Sequence, residues 1–442
     1  MKKKSTKPYI CKTLIEIDML LKSLRIKNFR CFKDETWEFT NHFNVLIGNN
    51  GTGKTTILDA ISIGIGSFFL GIDNVYAKTI LYKDIRKNTF LENREEQLPT
   101  EIELSGYVGD KNESLTWQRS VLTMRGNTRR DKDTNKLAKI ANEMQQLVRK
   151  GEKINLPVFN YYGTGRLWVE RKKTENILAP STRFDAYYDS IEPISNSNVF
   201  VLWLKTRTLT ELQTQKKDEA LLLVKAVASC FLSNDELINY DVRLDSIVLE
   251  KATQGGISKT KWSELSDGYR NIIAMAADLA YRCYMLNSHL GIYAAEQSRG
   301  VVLIDEIDLH LHPSWQRTVV DSFKKAFCNI QFIATTHSPF IIQSLKNEEL
   351  IDLQDKYFEV DYYKKGIEDI AEHEMHVDNP IRSVRYNQML KAAEKYFTIL
   401  EQYKKIDIPV EVQNELDKIE IEFSYDAAYV ALLKSERKAK LR

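Results

Sequence analysis

The residues with the clearest chemical role form a glycine-rich stretch in the first sixth of the chain. They are Gly48, Asn49, Asn50, Gly51, Thr52, Gly53, Lys54 and Thr55, with Thr56 directly after them. This G-x-x-x-x-G-K-T spacing lets backbone N–H groups turn inward and hold a triphosphate. Lys54 can reach the terminal phosphates, and Thr55 can ligate Mg²⁺. The stretch therefore predicts a binding loop for a nucleoside triphosphate and its magnesium ion.

The segments on either side of this loop support the interpretation. Phe43–Ile47 is a short apolar run that suits a buried strand, and Thr55–Ile63 carries apolar residues at helical spacing. Strand, glycine loop and helix is the order in which phosphate-binding loops occur. The alternative is a chance glycine-rich turn, which three further motifs of this chain argue against.

A buried strand that ends in two acids supplies the second motif. Val301–Ile304 is apolar, and Asp305 and Glu306 follow it. In open α/β sheets, ligands bind at the carboxyl ends of the strands. There, Asp305 would hold Mg²⁺ directly or through water, and Glu306 would orient or deprotonate an attacking water. Many strands end in an acid, so this motif alone indicates little. Together with the phosphate-binding loop, it indicates a site for a nucleotide and Mg²⁺.

The third motif stands immediately before a helical run from 271 to 286. It consists of Leu265, Ser266, Asp267, Gly268 and Tyr269. A small polar residue and a glycine at the start of a helix form an anion-binding N-terminus. An ordinary serine N-cap is the alternative interpretation.

The fourth motif is another apolar strand that leads to a single histidine. The strand begins at Ile330, and His337 follows its last apolar residues. Taken alone, His337 suits a satisfied loop histidine better than a catalytic one, so its role depends on the other three motifs.

In this order, the four motifs resemble those of the ABC-type ATPase heads of the RecF, SMC and OLD families. The resemblance makes 265–269 the signature motif, Asp305 and Glu306 the Walker B pair, and His337 the switch histidine that contacts the γ-phosphate. Leu24–Arg30 is similar to the first strand and basic turn of RecF-like heads. The implied fold is an α/β ABC-ATPase head. It has a mixed or parallel core sheet, an antiparallel β subdomain, a helical insertion and a mostly helical C-terminal extension.

Within these families, the sequence resembles the bacterial antiphage ATPases typified by PtuA of Septu systems and by some retron effector ATPases. Residues 161–168, 265–270 and 378–380 carry this resemblance. It implies a head-to-head homodimer with two ATPs between the subunits, and a separate nuclease partner of the HNH type, similar to PtuB. Arg30 and Arg166 are candidate phosphate sensors, although Arg166 could equally pair with a structural carboxylate.

The composition is that of an ordinary globular protein. The chain has 442 residues, of which 43% are hydrophobic and 28% charged, and its net charge is +2. This small charge excludes a globally basic DNA-wrapping protein, so any nucleic-acid contact must come from local patches. No apolar run reaches the roughly 18 residues needed to span a bilayer. The five cysteines are scattered and odd in number, which favours reduced thiols in the cytoplasm.

Five regions are predicted along the chain. They are a basic tail at 1–21, a first ATPase lobe with the β subdomain at 22–124, an inserted arm at 125–262, a second lobe at 263–345 and an extension at 346–442. Strands are expected near 240–250 and 257–262. The arm lacks sustained heptads, so a long coiled coil is not expected. Its basic residues at 125–155 suit either a solvated surface helix or a nucleic-acid contact arm.

The C-terminal extension lacks the motif of a metal-dependent nuclease. OLD-type proteins carry such a module after the ATPase, but no D-x-D sequence follows Ser338 here. The extension would therefore dock a separate effector or pack as a lid on its own head. A zinc site is not expected, because the histidine pairs His310 with His312 and His373 with His376 fit no zinc-binding pattern.

The predicted function is that of an ATPase whose hydrolysis times the opening of an ATP-bridged dimer, as the sensor subunit of a phage defence complex. The alternatives are a RecF-like DNA repair ATPase and a nucleotide-gated scaffold with negligible turnover. Two features depart from the family pattern, since no Q-loop glutamine can be placed and Asp267 replaces the usual glycine of the signature. An acid so near a γ-phosphate repels it unless the carboxylate points away, so slow hydrolysis is expected.

Overall fold

The structure, a computed structural model, describes most of the chain. It covers residues 18–90, 93–109, 114–124, 126–167, 182–193, 197–233, 236–254, 256–354, 361–377, 383–403 and 409–440. Trp168 and 378–380, which contribute to the predicted family resemblance, lie outside the described residues. Two compact units divide the chain, Met1–Ile370 and Ala371–Arg442. The boundaries of the five predicted regions stay predictions.

The first unit mixes strands and helices, and the described part of the second is helical. The strands are β1 (Asp18–Phe29), β2 (Phe32–Glu38), β3 (Phe43–Ile47), β4 (Lys87–Phe90), β5 (Asn93–Glu96), β6 (Thr100–Gly109), β7 (Ser114–Val121), β8 (Arg129–Arg130), β9 (Val158–Tyr162), β10 (Glu236–Asp241), β11 (Ser246–Thr253), β12 (Gly256–Lys261), β13 (Gly300–Ile304), β14 (Ile330–Thr335) and β15 (Leu350–Asp352). The helices are α1 (Lys54–Phe69), α2 (Lys132–Arg149), α3 (Ser197–Thr214), α4 (Glu219–Ser229), α5 (Asp267–Leu286), α6 (Ala294–Gln297), α7 (Pro313–Gln316), α8 (Val319–Ala326), α9 (Pro339–Gln343), α10 (Ile367–His373), α11 (Val384–Gln402), α12 (Val410–Glu422) and α13 (Ala427–Lys440). None of the described helices is long and apolar enough to cross a membrane.

A parallel sheet at the centre of the first unit carries the phosphate-binding loop. Its described strands follow the order β15-β3-β14-β13-β9, and each neighbouring pair is parallel. Strands β3, β9, β13 and β14 are buried along their whole length. Parallel strands covered on both faces are dominated by apolar residues. Their sequences follow this pattern apart from single buried polar residues such as Asn44, Asn160 and Gln331. The carboxyl ends of β3, β13 and β14 therefore meet at one edge of the sheet, where the predicted site residues follow them.

An antiparallel sheet with the order β2-β1-β6-β7-β8 packs beside this core. Residues of β6 alternate between buried and half-buried positions, as expected for a sheet with one covered face. The indole Nε1 of Trp117, on β7, donates to the backbone O of Gly64 in α1 at 2.9 Å. This bond fixes the sheet to the helix that begins at the phosphate-binding loop. The predicted fold class, with its parallel core and antiparallel β subdomain, is confirmed.

The inserted region combines helices with a small antiparallel sheet of β10, β11 and β12. The predicted strands near 240–250 and 257–262 match the paired strands β11 and β12. The start of the first range is wrong, because β10 ends at Asp241 and β11 begins only at Ser246. The carboxylate of Asp241 accepts the N–H groups of Arg243 at 2.9 Å and Leu244 at 3.2 Å. An aspartate that bonds its own backbone in this way makes a turn, so the chain reverses there.

Helix α2 is the basic helical insertion that the sequence predicts. It packs on α1 and buries Leu137, Ala141 and Met144, while its charged residues lie on the opposite face. The amphipathic pattern accounts for the helix as a packed element of the first unit. Its exposed basic face leaves the surface-helix and nucleic-acid interpretations both open.

The second unit is built on α11, α12 and α13, in agreement with the predicted helical extension. Tyr396, Leu400, Leu416 and Leu433 form the centre of its hydrophobic core and are fully buried. The hydroxyl of Tyr396 donates to the Glu420 carboxylate at 2.5 Å. A polar bond inside an apolar core satisfies both groups and fixes the register of the helices that carry them.

Candidate functional site

The loop between β3 and α1 has the backbone that phosphate binding requires. Gly51 and Gly53 have φ angles of 86° and 102°, in the left-handed region that favours glycine. Gly53 is the N-cap residue of α1, so the first N–H groups of this 16-residue helix face the loop. The hydroxyl of Thr52 donates to the backbone O of Asn49 at 2.9 Å and closes the turn. Backbone N–H groups in this arrangement suit the anion cradle that the sequence predicts.

Lys54 lies in the middle of this cradle and is only 8% exposed. Its ammonium Nζ donates to the backbone oxygens of Gly48 at 2.6 Å and Asn49 at 3.1 Å. Burial lowers the pKa of Lys54, and the carboxylates of Asp305 and Glu306 oppose this shift. An ammonium held between a loop and acids is placed to meet the negative charge of nucleotide phosphates.

Two oxygen atoms suited to Mg²⁺ meet at the edge of the parallel sheet. The Thr55 Oγ1 donates to Asp305 Oδ2 at 3.0 Å, which joins the phosphate-binding loop to the end of β13. Asp305 is 3% exposed, and its backbone N–H donates to the O of Tyr162 at 2.8 Å. Hydroxyl and carboxylate oxygens are the ligands that Mg²⁺ prefers, so the two residues fit this ion. When bound there, Mg²⁺ would neutralise part of the phosphate charge.

Thr335, at the end of β14, holds both acids of β13 in place. Its hydroxyl donates to Asp305 Oδ1 at 2.7 Å and accepts the backbone N–H of Glu306 at 2.7 Å. Glu306 has a φ of 48°, an uncommon conformation for a residue with a side chain. Backbone strain of this kind persists where surrounding contacts impose it and is frequent at functional sites. Thr335 is not among the predicted site residues, and its one signal in the sequence is its place at the end of the apolar strand that leads to His337.

We expect Thr335→Val to separate catalysis from nucleotide binding. The change keeps the shape of the side chain but leaves Asp305 and the N–H of Glu306 without their shared partner. We predict a fall in kcat of about tenfold with ATP affinity nearly unchanged, because one buried hydrogen-bonding group is lost. Steady-state phosphate release and equilibrium nucleotide binding measure the two effects. Thr210→Val removes an exposed helix hydroxyl and is the control. An unchanged kcat in Thr335→Val would contradict the role of Thr335.

The segment that follows the two acids is bonded to the segment that holds His337. We call residues 306–311 the acidic loop and residues 336–338 the switch segment. The hydroxyl of Thr336 donates to Asp308 Oδ1 at 2.6 Å, and the backbone N–H of His337 donates to the same oxygen at 3.4 Å. His337 is half-buried. Asp308 thus fixes the switch segment relative to Glu306, and its role was missed in the sequence.

The signature motif begins α5 and presents its first residues to solvent. Ser266 is the N-cap residue and accepts the N–H of Tyr269 at 3.4 Å, so the serine N-cap interpretation also holds. Ser266 and Asp267 are exposed, and the Asp267 carboxylate is ion-paired with Arg270. This ion pair neutralises part of the negative charge of Asp267. The expected slow hydrolysis stays a prediction.

Gly268 lies where the acidic loop passes closest to the signature. A Cβ atom at Gly268 would meet the backbone O of His310 at 2.0 Å, so only glycine fits this approach. The Tyr269 hydroxyl donates to the Glu236 carboxylate at 2.6 Å. Among the described residues, no hydrogen bond or ion pair joins 265–269 to the phosphate-binding loop of the same chain.

Of the two arginines predicted as phosphate sensors, the structure describes the side chain of Arg30 only. The guanidinium of Arg30 forms ion pairs with Asp59 at 2.6 Å and Asp84 at 2.8 Å. Because Asp59 belongs to α1, Arg30 ties the turn after β1 to the helix of the phosphate-binding loop. The side chain of Arg166 lies outside the described residues. A sensing role for either arginine stays a prediction.

His312, one of the paired histidines that fit no zinc-binding pattern, caps a helix. Its ring Nδ1 accepts the N–H of Ser314 at 3.2 Å at the start of α7. No group of three or more His, Cys, Asp and Glu side chains suited to a metal occurs in the part of the chain that the structure describes.

Comparisons with known proteins found relatives that include Septu proteins and a retron ATPase. The AAA domain family matches residues 23–240. The Septu protein PtuA of Bacillus thuringiensis is 27% identical over 91% of this chain and 96% of its own length. The Retron Vc95 probable ATPase of Vibrio cholerae is 26% identical over 74% of this chain and 73% of its own length. The Septu protein PtuA of Bacillus mycoides is 26% identical over 75% of this chain, which spans 40% of that relative.

Proposed function

We propose that this chain, an ABC-type ATPase related to Septu PtuA and to the retron ATPases, binds ATP and Mg²⁺ and closes into a head-to-head dimer around them. The observation that carries the proposal is the 3.0 Å bond between Thr55 Oγ1 and Asp305 Oδ2, across 250 positions of sequence. This bond joins the phosphate-binding loop to the pair of acids, and β14, which pairs with β13, ends beside them and leads to the switch segment. ATP hydrolysis needs this combination of groups.

Each residue of the site has a role in this proposal. The N–H groups of the loop and the ammonium of Lys54 hold the phosphates, and Thr55 and Asp305 hold Mg²⁺. Glu306 orients or deprotonates the attacking water. His337 contacts the γ-phosphate from the switch segment. The bonds to Thr335 and Asp308 hold the backbone N–H groups of Glu306 and His337, and so fix where these two residues start from.

The signature motif acts on the nucleotide of the second subunit. Ser266 and the N–H of Gly268 would cap the γ-phosphate across the interface, which the exposure of Ser266 permits. A two-fold dimer brings each signature to the partner's pocket by symmetry. Loss of the γ-phosphate removes this bridge, so ATP holds the dimer closed and hydrolysis sets its lifetime.

The biological role that we propose is the sensor and regulator subunit of an antiphage complex that controls a separate nuclease. Support comes from relatives named Septu PtuA and retron ATPase, one of which aligns over nearly the full length of both chains. The helical second unit is the candidate docking element for the nuclease, and a lid is its alternative role. The RecF-like alternative would have the dimer act on DNA without a nuclease partner.

Co-expression with the neighbouring genes of the same operon tests this role. We expect a stable complex with an HNH nuclease, whose DNA cleavage changes when Lys54→Ala prevents nucleotide binding in the ATPase. Mass measurement of the purified complex gives its subunit ratio. An operon without a nuclease, together with ATP-dependent binding of this chain to DNA ends, would replace the proposal with the RecF-like alternative.

A further inference from the structure

Gln316, the last residue of α7, bridges the switch segment and the acidic loop. The hydroxyl of Ser338 donates to Gln316 Oε1 at 2.6 Å, and Gln316 Nε2 donates to the backbone O of Leu311 at 2.8 Å. The carbonyl of Leu311 can only accept, so the NH₂ of the amide must face it. Ser338 Oγ also accepts the N–H of Phe340 at 3.2 Å, which leaves its own proton for Gln316. Both ends of the amide therefore have fixed partners.

The far side of the acidic loop contacts the signature motif. The backbone of His310 and Leu311 lies against Gly268, where a Cβ would come within 2.0 Å of the His310 O and 3.2 Å of the Leu311 N. The Tyr269 ring meets the ring of Trp315 edge to face, with centroids 4.7 Å apart. Trp315 precedes Gln316 in α7. A movement of the 310–311 backbone or of α7 toward α5 would therefore press on the first turn of α5.

A continuous chain of contacts thus links two functional segments of one subunit. It runs from His337 through Ser338, Gln316 and Leu311 to Gly268. Packed contacts and hydrogen bonds of this kind can transmit a displacement between two sites. Gln316 is the member whose side chain bonds both segments.

We infer that Gln316 is a positioning residue that couples the switch segment of a subunit's own pocket to the signature motif that the same subunit presents to its partner. The inference rests on the proposed function, since the coupling has a consequence only if the signature completes the partner's pocket. Loss of the γ-phosphate in one pocket then moves the signature at the other pocket. The two pockets therefore hydrolyse ATP cooperatively.

Two substitutions at Gln316 and one matched control test the coupling. Gln316→Met keeps the length of the side chain and removes both hydrogen bonds. Gln316→Glu keeps the acceptor for Ser338 but cannot donate to Leu311. Gln343→Met is the control. Gln343 is a half-buried glutamine in α9, and its Nε2 donates to the backbone O of Lys365 at 2.8 Å. ATP affinity, kcat, the Hill coefficient of hydrolysis and the melting temperature are measured for each.

We expect the ATP affinity of both Gln316 variants to stay within about twofold of that of the original chain. Their kcat should fall about tenfold, and their Hill coefficient should be about 1. Gln343→Met should keep kcat and cooperativity even if its melting temperature falls. A purely structural role for Gln316 would lower the melting temperature of its variants and leave the Hill coefficient unchanged, which overturns the inference. Gln316→Glu with full kcat and cooperativity overturns it as well, since the bond to Leu311 would then be irrelevant.

The unsubstituted chain separates failure of this inference from failure of the proposed function. If the unsubstituted chain forms no ATP-dependent dimer, the proposed function is wrong. A dimer that hydrolyses ATP cooperatively in the Gln316 variants removes only the coupling role.

Discussion

Glu306→Gln is expected to bind ATP as the original chain does, to hydrolyse it at least about a hundredfold more slowly and to remain a closed dimer. The substitution preserves the size of the side chain and leaves Asp305, Thr55 and Thr335 in place. The amide cannot take a proton from water, so the chemical step loses its base. Because opening requires loss of the γ-phosphate, the dimer persists once ATP has bound.

Phosphate release from ATP measures the hydrolysis rate of Glu306→Gln. Mass by light scattering, with and without ATP, measures whether it is a dimer. Glu143→Gln on the exposed face of α2 is the control for loss of a carboxylate far from the site, and we expect it to be neutral. Equal phosphate release by the original chain and Glu306→Gln would show that Glu306 does not act as proposed. That outcome would favour the nucleotide-gated scaffold, in which ATP is bound but not turned over.

A mixture of Lys54→Ala and Ser266→Arg subunits is expected to recover ATPase activity that neither variant has alone. Lys54→Ala loses the phosphate-binding ammonium, and Ser266→Arg places a bulky cation at the exposed start of α5. If the phosphate-binding loop of one subunit works with the signature of the other, the mixed dimer holds one intact pocket. With equal amounts of the two variants, half of the dimers are mixed and each has one intact pocket, so independent pockets would give on the order of a quarter of the original activity. Coupling between the two pockets would lower the recovered activity below that value but leave it above that of either variant alone.

The opposite arrangement, in which each chain completes its own pocket, gives no recovery in this mixture. Every pocket would then lack either Lys54 or Ser266, whatever the subunit composition. Replacement of the N-cap serine costs about 1 kcal/mol of helix stability, which a folded domain tolerates, so a melting curve separates misfolding from a defect at the interface. The recovered activity should increase with protein concentration, since it depends on association of subunits.

Residue types and spacing were sufficient for the fold class, and they predicted that the main groups of the candidate site would lie at one edge of the sheet. The glycine pattern at 48–53 requires left-handed backbone, and the structure has it at Gly51 and Gly53. The apolar runs before Asp305 and His337 could be assigned to buried parallel strands, because strands covered on both faces have no polar side. Parallel strands end at a common edge, so the meeting of Thr55 with Asp305 followed from the pattern.

Contacts between segments distant in sequence depended on strand order and loop conformation, which no local pattern encodes. Thr335 holds both acids only because β14 lies next to β13. Gln316 bridges Ser338 and Leu311 only because α7 passes between the switch segment and the acidic loop. Such polar partners are fixed by three-dimensional proximity, since each buried donor or acceptor must find the group that folding brings within reach.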